Sequence, residues 1–250
     1  MTKKTTAAKT EDQSVVYKVP AAFALMILVI YGFWRLAAYY ATLAGFEALY
    51  GPVGTAFYVS LALLAVSIAA VFVCKSSLAR TIGCYGAAAF ALLAVSLRIL
   101  RVYWTGNMIV IYLLHALVYC LYMVWELYRS EFFTFSLATA SAGVVFFLIA
   151  RTNYAANRIG GCVLLAVLLA AIALVTYLCA KNRGKLPLGG KLIRLFPSSF
   201  NPLLFYFICG LWAVMLAACM IFGQGFAFYA MFAAIALELI GAVYYTFQLK

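Results

Sequence analysis

The chain alternates between long apolar runs and short polar punctuation, eight times over. Residues 1–19 open it, rich in Lys and Thr, and are expected to form a disordered tail on the cytoplasmic side. Apolar runs follow near 20–45, 53–74, 81–100, 107–128, 132–150, 159–180, 201–222 and 226–247. Each is close to the ~20 residues that a helix needs to cross ~30 Å of hydrocarbon. None shows the ~10-residue alternation of a membrane barrel, which excludes strands as spanning elements. The predicted fold is therefore an all-α integral membrane protein, a bundle of about eight transmembrane helices. Residues 20–250 are read as a single polytopic membrane domain.

The punctuation supports this division. Gly51-Pro52, Thr105-Gly106-Asn107, Pro197 to Pro202 and Gly223-Gln224-Gly225 are turn signals between spans. Pro20 is expected to start the first helix, where its missing N–H is harmless. All five prolines then fall at span ends or in loops, so no span is predicted to break at mid-membrane as many transporter helices do. The first run is far longer than the ~7–15 residues of a signal-peptide core and reads as an uncleaved span.

Composition strengthens the membrane assignment. Apolar residues make up 68% and charged residues 10% of the chain, against roughly 45–50% and 25% in a soluble domain. The net charge of +12 does not indicate nucleic acid, because the basic residues sit in short clusters between apolar runs. Their placement is topological. Leaving out Arg35 as intramembrane, thirteen Lys and Arg fall on the side of the tail and four on the other, which predicts both termini in the cytoplasm. The location follows as a multi-pass protein of the cell membrane, on this charge bias a bacterial plasma membrane. The basic loop 181–194 is a candidate contact for anionic lipid, at ~1 kcal/mol per cation near such a surface.

Candidate chemistry is sparse. The only Asp is Asp12 in the tail, and His115 is the only histidine, so neither an aspartyl dyad nor a His-rich metal site can form. HExxH, GxSxG and phosphate-loop patterns are missing from the sequence. Seven scattered cysteines form no CxxC and read as small packing residues. His115 and Cys120 lie five apart, hence about 140° apart on a helix, and make no dyad. No catalytic residue, metal ligand set or cofactor is assigned, which weighs against a hydrolase.

The polar residues left inside the spans are the candidates. Tyr112, His115, Tyr119, Tyr122 and Glu126 follow one another at steps of three and four, forming one stripe on the fourth span. Such a stripe is expected to face other helices or a water-filled path, since polar groups in hydrocarbon need partners. Glu238 lies ~18 Å along the eighth span with no basic residue at its depth. It is expected between helices, hydrogen-bonded to a hydroxyl or a backbone carbonyl. Arg35 sits ~22 Å along the first span, among Tyr31, Tyr39 and Thr42, where a guanidinium can snorkel outward. With Arg98 and Arg101 it is also a candidate anion or interface site. Small residues at Gly83, Ala87 and Ala91, and at Ser136, Thr139 and Gly143, mark close helix contacts.

Three function classes fit these residues. A permease-like or channel-like protein would move a small solute along the span-four stripe and past Glu238. A scaffold or subunit would need a membrane protein partner instead. A small lipid-acting enzyme would need a nucleophile or metal that the sequence does not offer.

Overall fold

The computed structural model describes residues 3–74, 76–103, 108–152, 155–188, 191–197 and 200–247. Eight helices dominate it: α1 (Lys3–Tyr40), α2 (Leu43–Val73), α3 (Ser77–Tyr103), α4 (Met108–Leu127), α5 (Ser130–Arg151), α6 (Ala155–Lys181), α7 (Pro202–Phe222) and α8 (Gln224–Thr246). All eight are long and apolar enough to cross a membrane, the crossing part of α1 being Val16–Tyr40. A short hairpin of β1 (Lys185–Leu188) and β2 (Lys191–Arg194) joins α6 to α7. The protein is an all-α multi-pass membrane protein in architecture.

The first two spans divide at a different place from the turn signal. Gly51-Pro52 lies inside α2, and the break falls at Ala41-Thr42. Thr42 supplies the reason, because its Oγ1 accepts the Gly45 N–H at 3.0 Å and donates to the Tyr39 carbonyl at 2.8 Å. One hydroxyl thus caps the start of α2 and ties it to the end of α1. Gly45 is required there, since a Cβ would collide with the Tyr39 carbonyl. Pro20 is likewise interior to α1, not at its start, and Pro187 lies in β1, so the prolines are not confined to ends and loops. The connection between α7 and α8 is as tight as expected: Gly223 alone, at φ +77°, separates them. The expected turn at Thr105 to Asn107 lies outside the described residues.

Contacts along the chain form two compact units, Met1–Tyr119 and Cys120–Lys250. In the first unit, Gly83 lets α3 approach α2 closely, a Cβ there falling 2.9 Å from the Ser67 carbonyl and 3.0 Å from Val71 Cγ2. Its core gathers Phe33, Tyr40, Val53, Leu97, Leu100 and Ile111.

In the second unit α5 is central and packs on α6, α7 and α8. Helices α5 and α8 run antiparallel along their full length. Gln224 Nε2 donates to the Thr152 carbonyl at 2.7 Å near one end, and Phe132 stacks on Tyr245 at 4.9 Å near the other. Between them Gly143 meets Ala234, and Gly241 meets Phe135. These small residues allow the close approach that helix pairs need in lipid, where no hydrophobic force drives them together.

Candidate functional site

The α5–α8 seam carries the site. Ser136, Thr139 and Gly143 share one face of α5 by their three- and four-residue spacing. Opposite them α8 presents Ala234, Glu238 and Gly241, again at four- and three-residue steps. Ser136 Oγ donates to Glu238 Oε1 at 2.5 Å. The second oxygen, Oε2, is buried and has no hydrogen-bond partner among the described residues, and the same holds for Thr139 Oγ1. Glu238 forms no ion pair among the described residues. The expectation that Glu238 lies between helices and bonds to a hydroxyl matches this geometry, and the hydroxyl is Ser136.

An unpartnered buried acceptor costs about 1–3 kcal/mol. The facing helix carries a second buried group without a partner among the described residues, the Thr139 hydroxyl. A carboxyl in this setting can take up a proton, and its Oε2 can accept a hydrogen bond from a small cation or coordinate it.

The span-four stripe divides differently. Its first part, Tyr112, His115 and Tyr119, belongs to the first unit. His115 is buried, its Nδ1 lies 2.8 Å from the Ile111 carbonyl of its own helix, and its ring packs 5.3 Å from that of Phe33. Tyr119 packs on Phe23 at 5.5 Å, and Tyr112 is half-buried against the core of that unit. The stripe here meets aromatic rings of α1. Tyr122 and Glu126, both half-buried, belong to the second unit with Glu238. Each half of the proposed polar path is thus described within its own unit.

The three arginines differ in their surroundings. Arg101 turns inward, its Cζ 4.9 Å from the centre of the Tyr50 ring. Its guanidinium lies flat on Gly54, where a Cβ would fall 2.8 Å from Nη1. Tyr50, Gly54 and Tyr58 recur every four residues on α2 and form the bed for this cation. Arg35 and Arg98 are exposed, Arg35 between exposed Tyr31 and Tyr39. The pairing of Arg101 with a glycine flanked by tyrosines was not foreseen from sequence. Its signal was present in the Tyr-x-x-x-Gly-x-x-x-Tyr spacing.

The class that fold and site define is a multi-pass, all-helical membrane protein with an isolated carboxyl between two of its spans. Compared with known proteins, the chain matches no family model, no curated protein and no solved structure.

Proposed function

We propose that this chain is a small permease-like transport protein, with Glu238 as the group that binds and releases a proton or small cation. The observation that carries this is the buried Glu238 carboxyl, held through Oε1 by Ser136 while Oε2 has no hydrogen-bond partner among the described residues. Ionisable side chains inside a membrane are costly and usually belong to substrate or proton paths. Tyr122 and Glu126, on α4 of the same unit, are candidates to extend the path, and the His115 end of the stripe would serve in the first unit. We place the protein in the cell membrane, on its charge bias a bacterial plasma membrane, with both termini cytoplasmic. Its partners on this view are the bilayer, a small solute and anionic lipid headgroups at the basic hairpin.

The test is proton flux in liposomes holding the purified full chain and a pH-sensitive dye, with a potassium and valinomycin clamp. Wild type should dissipate an imposed pH gradient, alone or when a small cation is added. Glu238→Gln keeps shape and the Ser136 bond but cannot titrate, and should lose at least ten-fold in rate. A Gln variant with full, normally pH-dependent flux would remove Glu238 from the mechanism.

The runner-up is a non-catalytic subunit of a larger membrane complex. It is favoured by the close seam at Gly143 and Ala234 and by the aromatic packing around His115. It predicts no flux in wild type and a membrane protein that co-purifies with the chain.

A further inference from the structure

Between α6 and α7 the chain does more than turn. α6 ends with Arg183 at φ +51° and Gly184 at φ +82°, the Gly184 N–H reaching back to the Cys179 carbonyl at 2.7 Å. The Gly184 carbonyl then accepts from both Leu195 at 2.9 Å and Phe196 at 3.0 Å, closing the base of the hairpin. Phe196, Phe200 and Phe205 pack beneath it with Cys179 and Leu186. Ser130 at the start of α5 donates to the Leu195 carbonyl at 2.6 Å. The hairpin is thereby fixed to the ends of three spans, at the level where helices leave the membrane.

Strand alternation decides what this frame displays. Leu186 turns into the phenylalanine cluster, so Lys185 points the other way. In the antiparallel register Lys185 stands directly opposite Arg194, and both are exposed. Side chains so placed have Cβ atoms ~5 Å apart, and like charges there repel. Lys181 and Arg183, also exposed, stand at the root of the same hairpin. None of these four cations makes an ion pair among the described residues. The sequence has no acidic residue between Glu131 and Glu238, and the nearby Glu131 already faces Arg129. The hairpin thus presents two exposed cations on one face with no acid paired to them among the described residues, a surface that an anion from outside can neutralise.

We propose that the Lys185–Arg194 pair is a phosphate-binding site for the headgroup of an anionic phospholipid, with Lys181 and Arg183 as its electrostatic rim. Arg194 can offer two parallel N–H donors to phosphate oxygens and Lys185 a point charge to a third contact. The lipid is favoured over free phosphate because the hairpin is anchored at the membrane boundary by the three span ends and faces headgroups at high local concentration. The site is independent of Glu238 and stands or falls apart from transport.

The experiment uses the full chain in phosphatidylcholine nanodiscs doped with increasing phosphatidylglycerol, with thermal unfolding as the readout of binding. Wild type should gain stability with phosphatidylglycerol and not with added inorganic phosphate. Lys185→Gln with Arg194→Gln should weaken the apparent lipid affinity by about 30-fold, from ~1 kcal/mol for each charge. The charge-keeping swap Lys185→Arg with Arg194→Lys should retain most of it, which separates binding from misfolding. An unchanged response in the Gln pair would overturn the site, as would a response lost equally in the swap. An equal effect of inorganic phosphate would overturn the lipid assignment.

Discussion

At the scale of single residues, the most informative positions are those whose side chain or backbone has one acceptable partner. Arg183 is a non-glycine in the left-handed region, a conformation that costs an L-residue roughly 1–2 kcal/mol. Arg183→Gly should therefore raise stability by about 1 kcal/mol in detergent, read by thermal unfolding. Gly184 next to it is the opposite case, since a Cβ would strike the Phe196 carbonyl and lie 2.9 Å from that of Pro197. Gly184→Ala should cost about 1–3 kcal/mol by the same measurement. His115 is buried while Cys120 is exposed, so His115→Ala should destabilise the protein more than Cys120→Ala. Equal effects would mean that the His115 face is not packed. Residue types alone located His115, Glu238 and Arg35 as unusual, because charge and imidazole in an apolar run stand out. They could not say that Arg101 folds inward while Arg35 and Arg98 turn out, since that depends on which helix stands beside α3.

At the scale of elements, the antiparallel α5–α8 pair sets the candidate site. Its small residues were legible as a contact face on α5, but the partner helix was not, because spacing marks a face and not what it touches. Gly241 separates the two kinds of glycine in this protein. A Cβ there would fall 2.6 Å from Phe135, whose own ring is buried and cannot retreat, so Gly241→Ala should cost about 1–3 kcal/mol. Gly210 in α7 has open space around it, so Gly210→Ala should be neutral or stabilising by up to about 1 kcal/mol. Equal responses at the two positions would contradict the seam. The hairpin is the element that sequence reading passed over. Its signal in the sequence is the Gly189-Gly190 pair between Lys-Leu-Pro-Leu and Lys-Leu-Ile-Arg, a pattern that favours two short paired strands.

At the scale of the whole molecule, eight spans and a thirteen-to-four bias in Lys and Arg imply one orientation. Both termini and the 185–194 hairpin should lie in the cytoplasm, with Gln224 outside. Single cysteines introduced at positions 185 and 224, on a background without native cysteines, test this with membrane-impermeant thiol reagents in intact cells. Position 224 should react from outside and position 185 only after lysis. The reverse pattern would invert the protein and move the proposed lipid site to the other leaflet.

The number and helical nature of the spans among the described residues were legible in sequence alone. In lipid every backbone polar group must be satisfied within its own segment, so an apolar run of the right length has few other options. The same logic failed at Pro52, because a helix can tolerate one missing N–H while Thr42 offered a better cap ten residues earlier. What only the tertiary structure decided is which faces meet. Apolar side chains are equally content against lipid and against each other, so hydrophobic pattern leaves a membrane helix free to rotate. The facing of Ser136 to Glu238, of Arg101 to Gly54 and of Lys185 to Arg194 arises from close packing, hydrogen bonds and strand register between distant segments. Those interactions appear only once the helices and the hairpin are assembled.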